Sequence, residues 1–269
     1  MENSRRNFLK IAGYSILGVG AGSMLVGITP KFTTAASEES APPKYKDRPG
    51  ALKANRWGMV IDTRKINSRI NKKMQQVCHK IHNVPDFVGQ LGAENHEIKW
   101  IWPTTFSHAF IEQDHQFVSD RLKETKIPVL CNHCNNPPCV RACPTQATFK
   151  REKDGLVLMD FHRCIGCRFC IAACPYGSRS FNYRDPREAI EELEPNFTPR
   201  MKGVVEKCNF CAERLARGEA PACVEASEGA LIFGDLEDPS SDIRKVLAEH
   251  NAITRKAELG TYPSVFYII

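Results

Sequence analysis

Twelve cysteines carry the chemistry of this 269-residue chain, and their spacing says what kind. Cys164, Cys167, Cys170 and Cys174 are separated by two, two and three residues, and Pro175 follows. Just upstream, Cys131, Cys134, Cys139 and Cys143 repeat the arrangement with a longer middle step, and Pro144 follows. Three thiolates close in sequence can wrap three corners of one iron–sulfur cube, while the fourth, aimed away beside a proline, reaches a neighbouring cube. One such run therefore calls for a second, and the chain has it. Crossing the ligands in this way assigns Cys131, Cys134, Cys139 and Cys174 to one [4Fe–4S] cluster and Cys164, Cys167, Cys170 and Cys143 to the next.

Other uses of cysteine fit the spacing less well. Zinc takes four ligands in two pairs and does not call for three close thiolates plus a remote one. Twelve cysteines in 269 residues fall well short of the roughly 8–10% that marks a disulfide scaffold. The sequence has no C-x-x-C-H haem attachment, no glycine-rich phosphate loop and no C-x3-C-x2-C radical run. Cubes held entirely by cysteine leave no open position for a substrate, so the expected chemistry is single-electron transfer. On this reading the chain is not itself an enzyme. A reading from another class makes the cubes structural or redox-sensing parts of an interaction protein, and it predicts no reduction by a quinol pool.

The remaining composition is compatible with a protein built around inorganic centres. Apolar residues make up 42%, and metal ligation adds to the folding free energy of such a chain. The net charge of +6 is too small to argue for nucleic acid. Half of it sits in residues 1–36, where Arg5, Arg6, Lys10 and Lys31 face Glu2 alone. There Arg5-Arg6-Asn7-Phe8-Leu9-Lys10 precedes an apolar run from Ile11 to Ile28 and small residues up to Ala36. This resembles a twin-arginine export signal. The expectation is a signal peptide over 1–36, cleaved near Ala36, with an uncleaved anchor as the alternative, and a polar linker over 37–55. Export of a folded, metal-loaded chain would place the thiols in the periplasm already bound to iron.

The elements that must position the cysteines are short. Gly58–Asp62 reads as a strand leading into a site. Ile66, Ile70, Met74, Val77 and Ile81 recur at helical steps, with Cys78 on the same face and Pro85 beyond. Trp100-Ile101-Trp102 reads as a strand ending at Pro103, and Gly155–Asp160 as a strand between the two runs. Gly166 permits close approach of backbone to a cluster, and His133 either tunes a cluster by hydrogen bonding or packs beside it. His96, His108 and His115 read as ordinary loop histidines. Ala230–Asp235 reads as a strand, and Asp242–His250 as a helix with Ser241 at its N-cap. The apolar end near Val265-Phe266-Tyr267 is expected to bury itself in the same chain.

A third group, Cys208, Cys211 and Cys223, precedes Ser227. Trp57-Gly58-Met59-Val60-Ile61-Asp62-Thr63-Arg64-Lys65, the two central runs, and Lys207-Cys208 through Cys223 together resemble the four-cluster iron–sulfur subunits of the DMSO reductase, or molybdopterin-oxidoreductase, family. The resemblance covers residues 57–269 apart from the altered first run. In that family a four-cysteine run follows the first strand. Here only its last member, Cys78, remains, and the other three positions fall within Ile66 to Met74. The family pairs the first run's three close cysteines with the last cysteine of the fourth run, where this chain has Ser227. All four of those ligands are missing, and the oppositely crossed set stays whole as Cys208, Cys211, Cys223 and Cys78. The resemblance thus implies three [4Fe–4S] clusters with no cysteine left over. Ligation by the Ser227 hydroxyl, or a mononuclear metal held by His79 and His82 beside Cys78, would be alternatives.

The resemblance also implies an α+β fold of two ferredoxin-like bis-cluster modules, one inserted in the other. Residues 129–182 would be the central two-cluster domain, and 56–128 with 183–269 the outer module retaining one cluster. Its members dock on an integral-membrane quinone-interacting subunit and often on a molybdopterin catalytic subunit. For this chain, with its own export signal and one cluster fewer, the expected partners are a quinone-interacting membrane subunit and a redox subunit such as a multihaem cytochrome c. An electron-transfer subunit of a periplasmic molybdopterin reductase of the tetrathionate or polysulfide type is the alternative.

Overall fold

A computed structural model describes residues 48–269, which belong to one compact unit. The export-signal segment 1–36 and linker residues 37–47 lie outside the described residues. The architecture is mixed α+β, made of short helices and short strands.

The main sheet has four strands. Strand β1 (Trp57–Asp62) is buried along its whole length, as a near-continuous apolar run covered on both faces must be. Met59 and Ile61 face the main core, while Val60 joins Leu236, Ile243 and Ile268 in a second cluster. Gly58 is required where β1 passes Leu236, because a Cβ there would stand 2.5 Å from that side chain.

Helix α1 (Ser68–Ile81) follows. Asn67 caps it, its side chain accepting from the Ile70 N–H at 3.0 Å. Ile70, Met74 and Cys78 are buried on its inner face and Ile66 is buried just before it, whereas Val77 and Ile81 are only half-buried. Burying Ile70 and Met74 contributes about 1.5–3 kcal/mol each. Asn71 is also buried, donating to the Lys126 carbonyl at 2.6 Å.

Strands β2 (Ile101–Thr104) and β3 (Ile127–Leu130) form an antiparallel pair in which Pro103 stands opposite Pro128. Pro103 therefore lies inside its strand rather than ending it. Strand β3 runs straight into Cys131. Strands β4 (Thr148–Lys150) and β5 (Val157–Met159) pair between the two central cysteine runs. Strand β5 is shorter than the 155–160 span read from the sequence. Strands β6 (Ser180–Phe181) and β7 (Val205–Glu206) pair and deliver the chain to Lys207 and Cys208.

Helix α2 (Ala222–Ala226) carries Cys223 and packs along α1. Strand β8 (Leu231–Asp235) then returns antiparallel to β1. Helix α3 (Asp242–Glu249) starts at Ser241, whose backbone has cap geometry but whose hydroxyl makes no capping bond. Strand β9 (Ala252–Ile253) leads to β10 (Val265–Ile268), which pairs parallel to β1 and completes the order β8-β1-β10-β9. The segment before β10 also clamps the first central run. Asn135 and Asn136 N–H donate to the Tyr262 and Thr261 carbonyls, and the Ser264 hydroxyl donates to the His133 carbonyl. Among the described residues no helix is long and apolar enough to cross a membrane.

Candidate iron–sulfur centres

Each cysteine group begins at a strand end or turn, and each Cys-x-x-Cys loop repeats one backbone feature. The residue before its second cysteine has positive φ: His133 at 41°, Gly166 at 68° and Phe210 at 54°. Left-handed backbone curls the loop tightly, and only glycine adopts it without cost. Gly166 is further constrained because a Cβ would stand 2.4 Å from the Gly203 carbonyl. Downstream cysteines sit on helical turns. Cys139 lies on Pro138–Arg141, begun by a proline at its first position, and Cys170 on Phe169–Ala172.

The described cysteines are all free thiols. Cys131, Cys134, Cys139 and Cys174 line one cavity with Val157 and Arg179. Cys143, Cys164, Cys167 and Cys170 line another with Thr148 and Met159. In the outer part of the chain, Cys78, Cys208, Cys211 and Cys223 are all buried. Burial, and then the neighbouring charges of Cys211, Cys208 and Cys223, push the Cys78 thiol up. Burial raises Cys134 and Cys223 to about 12, and raises Cys208, Cys211, Cys170 and Cys174 as well. Cys143 shifts the other way. Burial acts upward there, but hydrogen bonds from Thr148, Thr145 and Ala147 bring it below the usual thiol value. Four thiols gathered around one small space cannot all ionise without a cation among them, and ligation by iron supplies it. The donor sets therefore fit [4Fe–4S] clusters.

The groups stand in series. His133, inside the Cys131 loop, bonds the Cys208 carbonyl and stacks on Phe210, and Cys139 packs with Cys170 in one buried cluster. The group of Cys131 thus neighbours both the outer group and the group of Cys164. That last group lies nearest the surface. Cys143, Cys164 and Cys167 are partly exposed, and Ile165 and Phe169 beside them are 67% and 60% exposed.

Histidines take specific positions around these groups. His133 is buried and stacks on Phe210, ring centroids 3.8 Å apart. Its Nδ1 accepts from the Val157 N–H at 3.1 Å, so its Nε2–H donates to the Cys208 carbonyl at 3.2 Å. Burial and the Lys207 charge push its pKa well below the ordinary value, keeping it neutral. His133 therefore packs and bridges backbone rather than bonding a sulfur. His82 lies 3.7 Å by Nδ1 from the Cys78 sulfur and 2.7 Å by Nε2 from Glu213. His82, Cys211 and Glu213 come within 4.8 Å of one another, but His79 does not join them. Burial lowers the His79 pKa to about 4, and its Nε2 has no partner. His96 packs its ring near Phe87 and Tyr183, His115 accepts from the Phe117 N–H, and His108 is exposed.

Ser227 is fully buried, and its hydroxyl is spent on backbone. It donates to the Val224 carbonyl at 2.7 Å and accepts from the Leu231 N–H at 3.0 Å. Ile66, Ile70 and Met74 join Ala226 and Leu231 in one apolar core. The stretch from Ile66 to Met74, where the resemblance leads one to look for cysteines, thus supplies hydrocarbon packing.

Two charged features had no signal in the sequence. Arg200 and Glu206 form an ion pair at 2.6 Å with neither side chain exposed. Arg179 and Lys207 are buried cations between cysteine groups.

The 4Fe-4S dicluster domain family matches residues 123–188. With the cavities lined by four thiols each, this defines an iron–sulfur cluster protein of the dicluster ferredoxin type. The chain is 39% identical to the Hdr-like menaquinol oxidoreductase iron-sulfur subunit 1 of Archaeoglobus fulgidus, over 98% of this chain and 97% of that protein. It is 33% identical to a subunit of the tetrathionate reductase of Salmonella typhimurium, over 100% of this chain and 89% of that one. It is 32% identical to the menaquinone reductase iron-sulfur cluster-binding subunit of Nitratidesulfovibrio vulgaris, over 79% of this chain and 88% of that one. The chain belongs to the family of iron–sulfur electron-transfer subunits of molybdopterin-oxidoreductase-type complexes.

Proposed function

We propose that this chain is the periplasmic iron–sulfur subunit of a Dsr-type respiratory complex, the role of the protein called DsrO. It would hold three [4Fe–4S] clusters, on Cys78/Cys208/Cys211/Cys223, Cys131/Cys134/Cys139/Cys174 and Cys143/Cys164/Cys167/Cys170. When bound, these clusters supply one-electron carriers at potentials that charge, hydrogen bonding and exposure adjust. The chain's part is to fix the sulfurs, keep the groups in line and exclude water. Electrons would pass between an integral-membrane quinone-interacting subunit and a redox partner such as a multihaem cytochrome c. The observation that carries the reading is the contact between successive four-thiol groups, together with near full-length similarity to a menaquinol oxidoreductase subunit. The Arg5-Arg6 motif supports export by the twin-arginine route and attachment to the membrane through partners.

A second reading is the electron-transfer subunit of a periplasmic molybdopterin reductase of the tetrathionate or polysulfide type. The similarity to the tetrathionate reductase subunit along the whole chain favours it. Anaerobic purification of the intact complex tests both. Iron and sulfide at about twelve each per chain, a co-purifying quinone-site membrane subunit and a multihaem cytochrome support the first reading. A molybdopterin subunit in that position would replace it with the second. Zinc in the thiol sites would sink both.

A further inference from the structure

Cations buried in a protein interior are normally matched by carboxylates, as Arg200 is by Glu206. Arg179 and Lys207 are not. Arg179 is 5% exposed, and its guanidinium donates to Thr148 Oγ1 at 3.0 Å and lies 3.2 Å from the Met159 sulfur. Its Nη2 has no partner. Lys207 is 2% exposed, and its ammonium donates to the carbonyls of Cys208, at 2.7 Å, and Val157. Among the described residues no carboxylate bonds either group.

Their positions coincide with the two intervals of the series. Arg179 lines the cavity of Cys131, Cys134, Cys139 and Cys174, and its guanidinium reaches Thr148 and Met159, which line the cavity of the next group. Lys207 is held by the carbonyl of Cys208 in the outer group and by that of Val157, which lines the cavity of the central group. Burial opposes the Arg179 charge, but Cys139, Cys170, Cys131 and Cys174 together outweigh it and raise its pKa. In place of carboxylates, Arg179 has the cysteines of the two central groups around it, and Lys207 has carbonyls belonging to the outer and central groups.

We propose that Arg179 and Lys207 are shared counter-charges of the relay, each set between two successive clusters and raising the potentials of both. A cluster gains negative charge on reduction, so a fixed cation nearby stabilises the reduced form. Two neighbouring reduced clusters also repel, and a cation between them offsets that repulsion for either. Arg179 is held by the Thr148 hydroxyl and the Met159 thioether and Lys207 by two backbone carbonyls. Neither is a ligand, so they are positioning residues for charge. The inference rests on the three-cluster reading above.

Potentiometric titration of the intact complex, followed by electron paramagnetic resonance, tests it. At a fixed poise, Arg179→Gln lowers the reduced-to-oxidised ratio of both central clusters about tenfold, which is about 59 mV for a one-electron couple, and leaves the outer cluster unmoved. Lys207→Gln lowers the outer cluster and the Cys131 cluster by a similar factor and leaves the Cys164 cluster unmoved. Arg179→Lys and Lys207→Arg retain most of the wild-type ratios. Unchanged ratios at full iron content overturn the proposal, as does an equal shift of all three clusters. If Arg179→Gln fails to hold its iron, Arg179→Lys and the Lys207 pair of variants decide, because each carries the same two-of-three pattern. A wild-type chain with fewer than three clusters would refute the cluster count instead, and the Arg179 arm would still read the two central clusters.

Discussion

His133 and Phe210 stack face to face, 3.8 Å between ring centroids and 16° from parallel, while both hold left-handed backbone. One belongs to the first central loop and the other to the loop of the outer group. Each conformation is unfavourable for a side-chain-bearing residue by about 1–2 kcal/mol. The stack, and the His133 bonds to Cys208 and Val157, fix both loops at once.

Phe210→Ala should therefore cost about 3–5 kcal/mol, the usual range for a buried phenylalanine. The measurement is the thermal midpoint of the iron-loaded protein under anaerobic conditions. Phe210→Leu should lose less. A midpoint unchanged by Phe210→Ala would show that the loops hold their shape without the stack.

The Arg200–Glu206 pair leads to a second prediction. Glu206 also accepts from Trp100 Nε1 at 2.9 Å and from Asn182 at 2.5 Å, and Arg200 donates to the carbonyls of His82 and Asn83. Arg200→Met strands a buried carboxylate and should destabilise by about 3–5 kcal/mol. Arg200→Met combined with Glu206→Gln should recover part of that loss in the same thermal assay. A double variant no better than the single one would mean the charge is not the cause.

Cys78→Ala should remove one cluster and leave two. Its thiol is buried with those of Cys208, Cys211 and Cys223. Electron paramagnetic resonance with iron quantitation reads the result, and three retained clusters would remove Cys78 from the ligand set.

Ser227→Cys alone should add no iron. The side chain at 227 is enclosed by its own helix and β8, and Ile66, Ile70 and Met74 fill the neighbouring core. A gain of about four irons per chain would reveal ligands other than cysteine on α1.

Parts of this arrangement are plain in the amino-acid order and parts are not. The spacing of Cys131 to Cys174 writes the crossed sets without further help, because cube geometry dictates it. Cys78 is different. It stands alone on α1, and only the family's pairing joins it to Cys208. Helix α1 is visible through its period, yet buried Asn71 interrupts the apolar face by bonding Lys126. The parallel pairing of β1 with β10 joins opposite ends of the chain, and local pattern cannot foresee which distant strand is chosen. Strands β6 and β7, two residues each, are too short for any periodicity. Lys207, Arg179 and Arg200 look like other surface cations in a sequence, and only tertiary packing marks them as buried.

The facing prolines of β2 and β3 have a consequence for how this molecule meets its neighbours. Two prolines directly opposite cannot exchange main-chain bonds, so Pro103 and Pro128 occupy a position where the amide hydrogens of other residues would have pointed away from the ladder. Strand β3 is buried along its length, so the open margin is that of β2, where exposed Pro103 removes a donor. An incoming extended segment would find no regular template there, which guards that margin against edge-to-edge self-association.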